Sequence, residues 1–130
     1  MMHELSDEDP STQKITGKKI SLTFRALSNH PNRGRIVVFE KAKGIVGYAV
    51  LIPYWSNEYG GNILHIDELY VKPEHRGRGI ATSFLKQMLL AKREAVALQL
   101  EVTPRNTRAR DYYRSFGFKK SKNLHLIRII

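Results

Sequence analysis

Residues 65–93, HIDELYVKPEHRGRGIATSFLKQMLLAKR, join an apolar run, a turn with two arginines and two glycines in consecutive positions (Arg76, Gly77, Arg78, Gly79), and a segment of helical apolar spacing. Ile80, Phe84 and Met88 fall on one helical face, with Ala81, Leu85 and Leu89 beside it, as a helix packed on a sheet requires. The run ILHIDELYV, residues 63–71, is apolar at both parities and so predicts a central strand rather than a half-exposed one. The order is therefore strand, glycine loop, helix over 79–93. A glycine turn that opens a helix presents backbone N–H groups and the positive end of the helix dipole, and its natural guest is a phosphate.

Working outward, RIVVFEK (35–41) and GIVGYAVLIPY (44–54) are β-branched runs separated by the turn at Lys41, Ala42, Lys43 and Gly44, which predicts a hairpin. AVALQLEV (95–102) predicts a strand and NTRARDYYRSF (106–116) a short helix with Ala109, Tyr112, Tyr113 and Phe116 on its apolar side. LHLIRII (124–130) predicts a last strand. Together these make an α/β fold: a mixed, mostly antiparallel sheet flanked by helices. The chain has no internal repeat and no long linker, and its 130 residues match one domain spanning 1–130.

Composition narrows the function classes. The chain is 42% hydrophobic and 26% charged, as soluble globular proteins are, and lacks an apolar run near the roughly 20 residues that span a bilayer. The polar, acidic start MMHELSDEDP is unlike a signal peptide, so the expected location is cytoplasmic, with no membrane partner. The absence of cysteine excludes disulfides, thiolate catalysis and cysteine-ligated zinc, and no metal site is expected. A net charge of +10 favours an anionic partner, but the basic residues are spread along the chain and form no tail.

GRGIAT approaches the dinucleotide fingerprint, and Glu101 lies near the distance of a ribose-binding acid. Three features oppose that reading. Thr82 replaces the third glycine, five residues (72–76) separate the strand from the first glycine, and the remaining chain is too short and too antiparallel for a second mononucleotide-binding half. A Walker loop lacks its G-K-[ST]. A basic nucleic-acid-binding module using Arg105, Arg108, Arg110 and Arg114 stands as the alternative from another class.

Two spaced motifs carry a family likeness over roughly residues 35–120. Val71-Lys72-Pro73 followed by Arg76-Gly77-Arg78-Gly79-Ile80-Ala81 resembles the V-x-P and [QR]-x-x-G-x-[GA] of the GNAT superfamily of acetyl-CoA-dependent N-acetyltransferases, and Asn106, Ala109, Tyr113, Gly117 and Phe118 resemble its later motif. The resemblance implies an acetyl-CoA cosubstrate held by Arg76, Gly77, Arg78, Gly79, Ile80, Ala81 and Thr82, with the backbone of Leu69, Tyr70 and Val71 along its pantetheine arm. By the same resemblance Asn106 is expected to cap its helix or hold that arm, and Tyr113 to be the thiol-protonating residue. Members usually carry a first strand and two helices that wall the acceptor site. Here MHELSDED resembles the tail of that strand and its helix cap, which leaves a shortened helical region of one helix or two stubs. That implies an open cleft, or completion by a neighbouring subunit in a homodimer.

Acetyl transfer to an amine requires loss of the ammonium proton and protonation of the departing thiolate. Strict alternation along 65–71 places His65, Asp67, Leu69 and Val71 on one face and Ile66, Glu68 and Tyr70 on the other. His65 and Asp67 are then the candidate base pair; the family resemblance, which implies a carboxylate or histidine at these positions acting directly or through water, puts Asp67 first, and Glu68 is structural unless a bulge inverts the parity. Direct attack by the amine in a ternary complex suits a chain without cysteine. The long aromatic hairpin IPYWSNEYGGN resembles small-amine members of the family, while the basic composition leaves a protein N-terminus or lysine as acceptor open unless Asp67, Glu68 and Glu58 dominate locally.

Overall fold

The β-branched run at Arg35–Lys41 forms strand β1 and pairs antiparallel with β2, Gly44–Ser56, across a tight turn. A computed structural model describes residues 1–8, 13, 15–91 and 95–130. Strand β3, Gly61–Val71, runs antiparallel to β2, and on its other side takes the parallel strand β4, Ala97–Leu100. The sheet order is β1-β2-β3-β4, so β3 has a neighbour on both sides, as its two-faced apolar pattern requires. Helix α3, Ile80–Leu90, is the crossover that two parallel strands need.

Each face of the sheet buries its own cluster. On one face Phe84 and Leu85 of α3 pack with Ala49, Leu51, Leu64 and Ile66. Tyr112, Tyr113 and Phe116 of helix α4, Thr107–Ser115, close the same side. On the other face Tyr48, Val50 and Tyr70 are covered by Met2 and Leu5 of helix α1, Met2–Glu8, and by Leu27 of helix α2, Gly17–Asn29. No helix among the described residues is long and apolar enough to cross a membrane.

Three expectations need correction. The stretch MHELSDED is not the tail of a strand: Met2–Glu8 is helical, because Met2 and Leu5 reach the Tyr48–Val50–Tyr70 cluster at helical spacing, and Leu5 N–H bonds the Met1 carbonyl at 3.0 Å. Among the described residues the N-terminal region thus holds one short helix and one full helix of 13 residues, with Thr16 capping α2 through Lys19 N–H at 3.4 Å. Second, β4 is four residues long where eight were expected, and α3 ends at Leu90 with Ala91 as its C-cap; residues 92 and 93 of the predicted span lie outside the described residues. Third, residues 124–130 form no strand. A strand exists only by pairing, and this segment meets no partner strand among the described residues; Leu124, Leu126, Ile127 and Ile129 stand between 70% and 93% exposed.

Candidate active site

The register of β3 against β2 carries one extra residue. Val50 faces Glu68 and Leu51 faces Ile66, so Asp67 is the inserted residue of a bulge. The alternation resets there. Leu64 and Ile66 lie on the α3 face before the bulge and Leu69 lies on it afterwards, while Glu68 joins Tyr48 and Tyr70 on the α1 face. The expected grouping of His65, Asp67, Leu69 and Val71 on a single face is therefore corrected. Glu68, read as structural from strict alternation, stands on the opposite face from Ile66 and Leu69.

Burial and hydrogen bonding define Glu68. Tyr48 Oη donates to Glu68 Oε2 at 2.6 Å across the strand pair. Desolvation raises the carboxyl above its ordinary pKa and the negative charge of Asp67 adds to the rise, while the Tyr48 hydrogen bond acts the other way. The Tyr48 phenol is pushed far up, first by burial and then by its bond to Glu68, so it stays a donor at any working pH. Asp67 is more exposed and lies 3.7 Å from His65 Nε2. Farther along, Tyr54 Oη donates to Gln99 Oε1, and Gln99 pairs with His65 in the ladder. Tyr48, Tyr54 and Gln99 were invisible to motif reading; the signal that finds them is cross-strand register, which exists only once the strands are paired.

The sheet forks at this bulge. β3 and β4 pair only over residues 63–66 with 97–100, and beyond Ile66 and Leu100 no described strand lines that edge of β3. Lys72 N–H bonds Val46 O, so alternate backbone groups turn Leu69 and Val71 towards the open edge and Tyr70 towards β2. Of the three residues assigned to the pantetheine arm, Leu69 and Val71 offer amide edges there, whereas Tyr70 spends its own in the β2 ladder. Tyr113, on α4, packs on the α3 face with its ring edge-to-face against Tyr112 and Phe118, so it and Glu68 flank the sheet from opposite sides.

The glycine loop follows the open edge. Gly77 and Gly79 adopt φ of +72° and +77°, and an added Cβ at either would meet nothing within 4 Å. Both are left-handed conformations with empty space before them, a cradle that side chains would strain and fill. Gly79 is the N-cap of α3, and the first bond it accepts comes from Ser83 N–H at 2.8 Å, which leaves the amides of Ile80, Ala81 and Thr82 outside the helical ladder. These features fit a pyrophosphate on the loop and an amide-bearing arm on the strand edge.

Several expected cofactor residues have structural work as well. Arg76 Nε donates to the Val71 carbonyl at 2.7 Å, its Nη2 pairs with Glu8 of α1 at 2.7 Å, and its guanidinium stands 5.5 Å from the Tyr70 ring centroid. Thr82 Oγ1 meets Tyr112 Oη at 3.0 Å, tying α3 to α4. Asn106 caps α4, its Oδ1 accepting from Ala109 N–H at 3.1 Å. Arg78 is exposed beside the cradle.

Comparison with known proteins agrees with this architecture. A bovine thialysine N-epsilon-acetyltransferase is 35% identical over 75 residues, which are 56% of this chain and 44% of that protein, so the chain matches under half the length of this relative. An integron cassette protein from the mobile metagenome of Cole Harbour Salt Marsh superposes with a TM-score of 0.75 at 28% identity, over 99% of this chain and 80% of that one. A possible acetyltransferase from Clostridium difficile 630 superposes with a TM-score of 0.81 at 22% identity, over 99% and 87%, a likeness of fold. The pattern of the Acetyltransferase (GNAT) family matches residues 1–118, and with nine-tenths of its length inside that pattern the chain belongs to the GNAT acetyltransferase family.

Proposed function

We propose that residues 1–130 act as one N-acetyltransferase domain that moves the acetyl group of acetyl-CoA to a primary amine, in the cytoplasm and without a covalent enzyme intermediate. The observation that carries this reading is the junction at the bulge: a half-buried carboxylate, Glu68, sits where the sheet forks, and the open edge of β3 leads straight to the two left-handed glycines. Acetyl-CoA, when bound, supplies the activated acyl thioester. The amides of the loop and first turn of α3 hold its phosphates, and Leu69 and Val71 hold its arm.

Glu68 takes the ammonium proton. A carboxylate whose pKa is raised by burial is a stronger base than an exposed one, and Tyr48 fixes the orientation of its second oxygen. Asp67 and His65, 3.7 Å apart, line the approach, where the Asp67 carboxylate attracts and steers the cationic acceptor. Tyr113 returns a proton to the leaving sulfur. Two neighbouring carboxylates at the bulge oppose the overall basic charge locally, and the thialysine relative supports a small amine of amino-acid type ahead of a protein amine.

The test is thiol release from acetyl-CoA across a panel of small amines, thialysine, aminoglycosides and peptides, with melting temperature measured beside it. Acetyl-CoA should raise the melting temperature and at least one small cationic amine should accelerate thiol release. Stabilisation by DNA or RNA in place of acetyl-CoA, with no thiol release, would overturn the reading in favour of a nucleic-acid-binding module.

A further inference from the structure

The bulge sets His65 and Glu68 on one face of the sheet. Their partners on β2, Ile52 and Val50, are two residues apart, so His65 and Glu68 follow one another along the side that α1 and α2 cover. Gln99 pairs with His65 one strand farther out and shares that face. Tyr54 of β2 pairs with Ile63, yet its Oη donates to Gln99 Oε1 at 2.5 Å, so its side chain crosses β3 to reach β4. The arm passes over Ile63, which is only 3% exposed. With Oε1 engaged by Tyr54, the Gln99 amide is left with its two N–H groups, and these meet no acceptor among the described residues.

We propose, on the acetyltransferase reading above, that Gln99, oriented by Tyr54, is a specificity-determining residue: it holds the carboxylate of a zwitterionic acceptor whose amine lies at Glu68, and so selects ω-amino acids over diamines. Both acids, Asp67 and Glu68, belong to the bulge, so negative charge gathers at one end of this line and the amide donors stand at the other. A rise of about 3.4 Å per residue and a spacing of about 4.8 Å between strands set Gln99 about 8 Å from Glu68, backbone to backbone, the span of a short aliphatic chain. The carboxylates at the bulge attract a diamine and an amino acid alike, so discrimination falls to the far end of the acceptor. There the Tyr54 bond fixes the amide with its donors outward. A carboxylate satisfies them, whereas a second ammonium leaves them unpaired.

The test compares two acceptors, ε-aminocaproate and cadaverine, which each carry an amine on five methylenes and end in a carboxylate and an ammonium respectively. At saturating acetyl-CoA, thiol release by the parent should show the higher kcat/KM for ε-aminocaproate. Gln99→Glu keeps the size of the side chain and the acceptor for Tyr54 Oη, but replaces the donors by a negative charge. The preference should swing towards cadaverine by about 10- to 100-fold, the range of a hydrogen bond to a charged group. Tyr54→Phe keeps the arm across β3 and frees the amide to rotate, so the preference should move the same way by a smaller factor; this variant carries the test where Gln99→Glu fails to fold. A parent that prefers cadaverine or takes neither acceptor overturns the proposal while acetylation of other amines stands. So do variants whose preference matches the parent's to within about twofold. A parent that acetylates no amine at all overturns the acetyltransferase reading, and the role of Gln99 with it.

Discussion

Tyr48 Oη and Glu68 Oε2 lie 2.6 Å apart across β2 and β3, and the bond exists because the bulge at Asp67 turns Glu68 onto the face that Tyr48 occupies. Residues 20 apart in the chain thereby form one donor–acceptor unit. Its two members perturb each other: the carboxylate helps hold the phenol protonated, and the phenol partly offsets the burial cost of the charge.

Glu68→Gln keeps the size of the side chain and an oxygen for Tyr48, but removes the proposed base. Turnover should fall roughly 10²- to 10⁴-fold, the range of general base catalysis, with most of the loss in kcat. Stability gives an independent reading. Because the folded-state pKa of Glu68 is raised, the folded chain binds its proton more tightly than the unfolded chain does, and stability drains away as pH rises from the ordinary carboxylate pKa through the folded one. Glu68→Gln should therefore match the parent's melting temperature below that window and exceed it at neutral pH. Equal melting temperatures at both pH values would show that the carboxyl carries no burial penalty.

Asp67→Asn leaves Glu68 in place. The expected outcome is a rise in KM for a cationic acceptor with a smaller loss in kcat, because on the proposed reading the Asp67 carboxylate steers the acceptor and Glu68 takes the proton. A kcat loss as large as that of Glu68→Gln, with KM unchanged, would return the base role to Asp67.

Gly79→Val forces a β-branched residue to φ of +77°, at a strain of about 1–3 kcal/mol, and fills the cradle with a side chain. The melting temperature should drop and the rise induced by acetyl-CoA should vanish. Gly44 has φ of +116° with equal open space at a hairpin turn away from the loop, so Gly44→Ala should lose stability while keeping that rise. Loss of the rise in both variants would mean strain alone explains it.

Tyr113→Phe keeps the ring that packs against Tyr112 and Phe118. At saturating acetyl-CoA, turnover should fall toward the lower end of a roughly 10²- to 10⁴-fold range, because a thiolate is already a fair leaving group. Rates equal to within about twofold in an assay limited by chemistry would assign the proton to water instead.

Arg76→Ala separates structure from ligand binding. The side chain satisfies the Val71 carbonyl, pairs with Glu8 and lies near the Tyr70 ring, so its loss should lower the melting temperature without any acetyl-CoA present, by about 1–2 kcal/mol of stability. Glu8→Gln removes only the half-exposed pair and should cost less than about 1 kcal/mol.

Much of the scaffold was legible because its signals are local. β1 has the bounds its β-branched run suggests, and Phe84, Leu85 and Met88 pack inward as their spacing requires. The glycine loop announced its left-handed turns through residue type. The parity of β3 was not legible, because HIDELYV reads as an unbroken strand and the extra residue is defined only against β2. Helix α1 was missed since seven residues with two apolar anchors carry too little periodicity to outweigh the family likeness of a strand tail. The tail read as a strand from its own composition, yet strandness belongs to a pair.

The bulge gives β3 two phases. Upstream of Asp67, odd-numbered residues face α1 and α2; downstream, even-numbered ones do. Drawing Asp67 into the ladder opposite a β2 residue of its own would run a single phase through the whole strand. If the N-terminal half kept its registration, Glu68 and Tyr70 would rotate in among Phe84 and Leu85, and Leu69 would turn out towards Tyr48. One residue thus decides whether a carboxylate lies in the oil or at the cleft. Length changes in the turn at residues 57–60, which carry no such phase, should be tolerated, and so should deletion of Asp67 itself, which leaves Glu68 following Ile66 in regular alternation on its present face.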